Sequence, residues 1–103
     1  NCCAAPVVCN AVDHRTKEWL ATPAASSSYG GVSGGRRAAQ ALKPLLTAVG
    51  VMPIPEGVAL AAYQKLLDKD GAFQASEYVL GGATTMLDEL LRWSEAQKPL
   101  RAG

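Results

Sequence analysis

The 103-residue sequence predicts an α/β fold, in which helices pack on short parallel strands. Segments with the apolar spacing of helices alternate with segments that suit strands, in the order helix, strand, helix, strand, helix, and this alternation is typical of a parallel sheet. A parallel sheet needs several strands and helices on both faces, and two strands do not supply that. The order therefore indicates that residues 1–103 form one partial domain, the second half of a doubly wound sheet.

The predicted elements follow from local signals along the chain. Pro6 suits the first turn of a helix, and Val8, Val12 and Trp19 recur after it at helical spacing. The Ala-Ser segment that follows Pro23 is a strand by context, because those residues have poor β-propensity. The predicted segments are a helix over 6–20, a strand over 24–29, a helix over 34–49, a strand over 51–60, a short helical turn over 61–67 and a helix over 76–97.

Residues that favour starting or stopping a helix set the predicted ends of the second helix. Ser33 is the predicted N-cap, and Gly50 is placed to stop the helix. Pro44 lies inside the run, where it should kink the helix or cost it a backbone hydrogen bond.

The second strand and the last helix have their own signals. Pro53 and Pro55 predict an edge strand, because proline cannot donate to a ladder. Ser76 is the predicted cap of the last helix, with the favourable charge of Glu77 in its first turn. The apolar stripe of that helix consists of Val79, Leu80, Ala83, Met86, Leu87, Leu90 and Leu91.

Composition excludes several classes of function. The formal net charge of +1 predicts no nucleic-acid partner, and no run of 18 apolar residues exists, so we expect no membrane partner. Cys2, Cys3 and Cys9 have neither the pairing nor the spacing of a disulfide framework or a zinc site. We therefore expect reduced thiols in a cytoplasmic protein.

The stretch "SYGGVSGGRR" at 28–37 places four glycines in six positions just ahead of a helix. Gly30 and Gly35 have the spacing of a P-loop, but Arg36-Arg37 stand where that motif needs Lys-Ser/Thr. Val32 breaks the dinucleotide-binding glycine pattern. What remains is a strand-to-helix loop of the kind at which open α/β sheets bind ligands. The residues alone do not decide between a ligand-binding loop and one that is merely tight.

Three further features each have a functional and a plain structural interpretation. Arg36 and Arg37 stand at the start of a helix, where the helix dipole disfavours positive charge. This placement hints at an anionic partner such as a phosphate, whereas the default interpretation is that both arginines are solvated. Residues 66–77 resemble a calcium-binding loop, but Leu66 occupies the first ligand position, so we favour a turn at 68–71. His14 has no nucleophile placed with it by a recognised motif, so we interpret it as a surface histidine.

The stretches "NAVDHRTKEW", "SYGGVSGGRRAAQALKPLLTAVG", "MPIPEGVAL" and "MLDELLRWSEA" resemble the C-terminal half of the NAD(P)H-dependent FMN reductase family. The resemblance covers nearly all of the chain in order. Proteins of that family are flavodoxin-like, so the resemblance implies the second half of a flavodoxin-like doubly wound parallel sheet. It also implies the cofactors FMN and NAD(P)H, with the flavin phosphate held in a loop that is not in this chain.

The resemblance implies two segments around the flavin ring. Asn1 matches the asparagine of one ring-flanking loop, and the loop 28–35 matches the other. The implied cofactor-binding residues are Asn1, Ser28, Tyr29, Gly30, Gly31 and Ser33. Glycine without a Cβ lets main-chain N–H groups approach a flat ring closely. No side chain is assigned a catalytic acid or base role.

The resemblance implies an oxidoreductase that transfers hydride from NAD(P)H to flavin and onward to a small-molecule acceptor such as a flavin or quinone. A dimer is expected for the complete domain, and weak or no FMN binding for this chain alone. The alternative is a non-enzymatic fragment or interaction module that has kept the scaffold and lost the cofactor. A calcium-binding helical protein is disfavoured by Leu66.

Overall fold

The computed structural model describes residues 3–15 and 17–102. The α/β prediction is confirmed: two parallel strands, β1 (Thr22–Gly30) and β2 (Val51–Ala61), pair side by side. Helix α2 (Arg36–Ala48) connects them, and both α2 and α3 (Glu77–Ala102) contact both strands. The arrangement is that of a partial flavodoxin-like fold.

The pairing of the two strands shifts once along their length. Thr22 pairs with Val51 and Ala24 with Pro53, and then Ser26 pairs with Gly57. Three residues of β2 therefore stand opposite one residue of β1, which makes a wide irregularity of the bulge type. In the described part of the chain β2 pairs with β1 alone, so its prolines interrupt no second ladder.

The first helix is shorter than predicted. Helix α1 spans Pro6–Asp13, and a separate 3₁₀ turn follows at Lys17–Trp19, so the prediction of one helix over 6–20 was wrong. The indole Nε1 of Trp19 donates to the carbonyl of Val12 at 2.9 Å. Because that carbonyl is one that a continuing helix would use, the side-chain bond ends the helix and folds the turn back on it.

The second helix begins at Arg36, and its N-cap is Gly35 rather than Ser33, so the predicted cap was wrong. Ser33 contributes only its carbonyl, which accepts the Arg36 amide at 3.1 Å, and no side chain caps the helix. The helix continues through Pro44 to Ala48. Gly50 follows with φ +82°, which confirms it as the residue that stops the helix.

The last helix starts as predicted and ends later. The amide of Val79 donates to the Ser76 hydroxyl at 3.2 Å, which confirms the cap. The helix runs to Ala102 instead of residue 97. Its last turn is held by Arg101, whose guanidinium donates to the carbonyls of Ala21 at 2.9 Å and Ser94 at 3.0 Å. A contact with a residue 80 positions away thus stabilises a turn beyond the predicted end of the helix.

The buried core is small. Val51 and Ile54 are its large apolar members among the described residues. The accessible surface is 7321 Å², against about 5,500 Å² expected for a folded monomer of this mass. Three of the seven residues of the α3 stripe, Leu80, Leu87 and Leu91, are accordingly more than half exposed.

No helix among residues 3–15 and 17–102 has both the length and the apolar character required to cross a bilayer.

Candidate functional site

The two strands end together at one edge of the sheet, where Gly30 pairs with Ala61. The loop 31–35 leaves β1 at this edge, and a 3₁₀ turn, Tyr63–Leu66, leaves β2 beside it. The carboxyl edge of a parallel sheet is the usual place for a ligand in such folds. The glycine-rich stretch therefore lies where the sequence placed it.

Short hydrogen bonds hold the loop closed as a turn. The carbonyl of Gly31 accepts the amides of Gly34 at 3.2 Å and Ala62 at 2.8 Å, the second of which joins the loop to the end of β2. The hydroxyl of Ser28 donates to the carbonyl of Gly34 at 2.7 Å. Ser28 therefore stabilises the loop through its side chain.

The second glycine pair is explained by the chain itself. Gly34 and Gly35 have φ of +59° and +77°, a region that L-residues with a Cβ rarely adopt. A Cβ on Gly35 would lie 2.6 Å from the carbonyl oxygen of Tyr29, and one on Gly34 would lie 3.0 Å from the amide nitrogen of Ala61. Both glycines are needed to pack the loop against the strand ends, whether or not a ligand binds.

The first glycine pair differs between its two members. A Cβ on Gly30 would lie 3.0 Å from the amide nitrogen of Gly35, so Gly30 belongs to the same tight packing. Gly31 is exposed, has no left-handed φ, and a Cβ there would meet nothing within 4 Å. Packing against the described residues therefore does not explain why this position lacks a side chain, and the space above it is open to a group from outside.

The main-chain amides near Gly31 are also unused. In the part of the chain that the structure describes, the loop's backbone hydrogen bonds take the amides of Gly34 and Arg36, and none takes those of Gly31, Val32 or Ser33. These three residues are exposed. They offer consecutive donors to a ligand with carbonyl or ring-nitrogen acceptors.

Aromatic side chains border this surface. Tyr29 is 68% exposed, and its ring meets that of Tyr63 edge to face, with centroids 5.2 Å apart and planes at 77°. Val32 is 99% exposed at the tip of the loop. An aromatic and an apolar side chain, those of Tyr29 and Val32, therefore lie exposed within two positions of Gly31.

Five of the six predicted site residues lie together here: Ser28, Tyr29, Gly30, Gly31 and Ser33. Asn1 lies outside the described residues. Sequence reasoning missed Tyr63. It follows β2 directly, and because neighbouring parallel strands end at the same edge, the end of β2 was the place to look.

The segment that resembles a calcium loop is a closed turn. The Oδ1 of Asp68 accepts the amides of Asp70 at 2.8 Å and Ala72 at 2.9 Å, and its Oδ2 accepts the Gln74 side chain at 3.0 Å. The hydrogen bonds from Ala72 and then Asp70 lower the pKa of the Asp68 carboxyl. The turn prediction is confirmed, and these oxygens are occupied by the chain's own donors.

The remaining candidate residues are not brought together. His14 is exposed at the end of α1, and Cys3 and Cys9 are free thiols. Within residues 3–15 and 17–102, no three His, Cys, Asp or Glu side chains approach closely enough to hold a metal ion.

Comparison with known proteins identifies the family. The family model described as NADPH-dependent FMN reductase matches residues 1–65. That span contains α1, both strands, α2, the loop 31–35 and Tyr63. No curated protein and no solved structure matches the chain. Because the family model covers more than half of the sequence, the chain belongs to the NADPH-dependent FMN reductase family.

Proposed function

We propose that this chain supplies the flavin-ring half of an NAD(P)H-dependent FMN reductase, corresponding to the C-terminal half of the flavodoxin-like domain. The observation that supports it most is Gly31, an exposed glycine at which a Cβ would meet no described residue, so that packing does not explain the lack of a side chain there. Family membership gives that surface a matching occupant, because the family's cofactor has a planar tricyclic ring.

The residues at the loop suit that ring in three ways. The amides of Gly31, Val32 and Ser33 would donate to the polar edge of the ring. Tyr29, whose ring packs against that of Tyr63, would border the flavin ring. Gly34 and Gly35 pack the loop against the strand ends, so the loop has its shape before the ring binds. Pre-formed geometry lowers the entropic cost of binding.

The bound flavin would supply the redox chemistry, accepting hydride from NAD(P)H and passing electrons to a small-molecule acceptor such as a flavin or quinone. The chain's own role is to bind and orient the ring, with no acid or base side chain involved. The proposal includes a homodimer for the complete domain and a cytoplasmic location.

A titration of the chain with FMN and with riboflavin, followed by amide chemical shifts, tests this proposal. The two ligands share the ring and differ in the phosphate. We expect both to shift the amides of Gly31, Val32 and Ser33, with a Kd weaker than about 1 µM, or roughly 8 kcal/mol of binding free energy. Submicromolar FMN binding would contradict the assignment of a ring site without a phosphate site.

Two glycine variants make the test specific. Gly31→Leu should abolish the loop shifts, because its side chain would project into the space assigned to the ring while meeting no protein atom nearby. Gly81→Leu on α3 is the matched control, since a Cβ there also meets nothing within 4 Å, and it should bind as the unaltered chain does. Equal binding by both variants would place the ring elsewhere.

The second candidate is a non-enzymatic module that has lost the cofactor. The packing of Gly34 and Gly35 favours it, because the loop's shape needs no ligand to explain three of its four glycines. In this case neither flavin shifts the loop amides.

A further inference from the structure

A groove of about 260 Å³ lies between α2 and the sheet, and Tyr29 is not among its lining residues. One wall is a single face of α2, with Arg36, Gln40 and Lys43 at spacings of four and three residues. The opposite wall includes Ser26 and Ser28 of β1. Polar and cationic side chains therefore line a helix–sheet junction, where apolar packing is the norm.

The cationic side chains of this groove have no acidic partner among its described lining residues. Of the described residues that line it, none is an aspartate or glutamate. Neither Arg36 nor Lys43 forms an ion pair with any described residue. Glu77 borders a neighbouring cavity of about 420 Å³ together with Arg36, without bonding to it. The cations are thus free to meet an anion from solution.

The position of Arg36 on the helix also favours an anion. Arg36 is the first residue of α2, in the turn where the helix dipole disfavours positive charge, whereas Lys43 lies two turns later, beyond the reach of this effect. The helix has no acidic residue in its first turn and no side-chain cap. An anion beside Arg36 would offset this unfavourable field and meet the positive end of the dipole.

A glycine also lies among the residues that line the groove. Gly57 lies where the register of the strands resumes after the bulge, and a Cβ on it would come within 2.9 Å of the carbonyl oxygen of Ser26. Glycine therefore lets β2 approach β1 closely beneath Arg36. Pro55, in the bulge, lines the groove and has no N–H.

We propose that this groove binds a phosphate group of a small-molecule ligand. Arg36 and Lys43 neutralise the charge, and the Gln40 amide and Ser26 hydroxyl donate further hydrogen bonds. Ser28 is excluded as a donor because its hydroxyl donates to Gly34. This inference does not depend on flavin binding at the loop.

Titration with inorganic pyrophosphate at constant ionic strength, followed by amide chemical shifts, tests the proposal. We expect saturable shifts at Ser26, Gln40 and Lys43. Lys43→Gln and Arg36→Gln should each weaken the affinity about tenfold or more, as expected for loss of a charge-assisted hydrogen bond. The control Lys69→Gln removes the same charge from the exposed turn and should change the affinity less than about twofold.

Circular dichroism of each variant checks that α2 remains folded. Removing the charge of Arg36 from the helix start should favour the helix, because the helix dipole disfavours a cation there. A parallel titration with ADP identifies the source of the phosphate: ADP binding at least as tightly as pyrophosphate indicates a nucleotide ester, and weaker binding indicates the free anion. The proposal is overturned if pyrophosphate gives no saturable shifts up to about 10 mM, a binding free energy of roughly 3 kcal/mol. It is equally overturned if Lys69→Gln weakens binding as much as Lys43→Gln does.

Discussion

Gly35→Ala tests how the loop after β1 is built, and its cost has two separable parts. Gly35 has φ +77°, and placing an L-residue in this region costs about 1–2 kcal/mol. The new Cβ would also lie 2.6 Å from the Tyr29 carbonyl oxygen, whereas ordinary contacts begin at 3.4 Å, so the backbone must separate by 0.8 Å. Crowding of this kind costs about 1–3 kcal/mol. We expect a total loss of about 3 kcal/mol in the free energy of unfolding.

Gly71→Ala isolates the first part. Gly71 has nearly the same φ, +79°, but a Cβ there meets nothing within 4 Å. Its loss should be about 1 kcal/mol, and the difference of about 2 kcal/mol measures the contact with Tyr29. Gly31→Ala has neither penalty and should be neutral or slightly stabilising, because alanine restricts the unfolded chain.

Urea unfolding followed by circular dichroism gives these free energies by linear extrapolation. Because the buried core is small, the measurements should be made in a stabilising osmolyte such as sucrose, which keeps the weaker variants folded. If Gly35→Ala and Gly71→Ala differ by less than about 0.5 kcal/mol, the Tyr29 contact does not shape the loop, and the packing explanation of the glycine pair fails.

Two further predictions concern the turn at 68–71 and the start of α3. Folding lowers the pKa of the Asp68 carboxyl below its ordinary value of 3.8, so its contribution to stability is complete above that value and lost as pH falls through the lower folded pKa. Unfolding measured between about pH 6 and pH 2 should therefore show a smaller acid loss for Asp68→Asn than for the unaltered chain; equal losses would refute the link. Ser76→Ala should cost about 1 kcal/mol in urea unfolding, since it removes the acceptor of the Val79 amide, while Ser76→Asp should retain most of the stability. An unchanged midpoint for Ser76→Ala would show that the cap contributes nothing.

The elements that sequence reasoning located correctly depend on short-range interactions. Gly50 stops α2 through its own left-handed φ, and Ser76 caps α3 across three residues. The turn at 68–71 closes through a carboxylate that reaches amides two and four positions away. Each of these interactions joins groups only a few positions apart, so the local sequence is enough to predict it.

Within the candidate site, sequence reasoning brought the loop to the right edge of the sheet but could not tell its glycines apart. All four look alike in the printed stretch. The surroundings that distinguish Gly34 and Gly35 from Gly31 depend on where Ala61 and Tyr29 lie, and those positions come from the pairing of two strands. Tyr63 joins the site for the same reason.

The sequence by itself determined the alternation of helices and strands, their parallel pairing and most of their limits. The reason is that hydrophobic periodicity and the residues that start or stop an element are local properties of the chain. The tertiary structure alone decided where α1 ends, which residue caps α2, how far α3 extends and where the strand register shifts. The bonds from Trp19 to Val12 and from Arg101 to Ala21, and the contact of Gly35 with Tyr29, join groups that only the folded chain brings together. Their energies depend on distances in space, which spacing along the sequence does not specify.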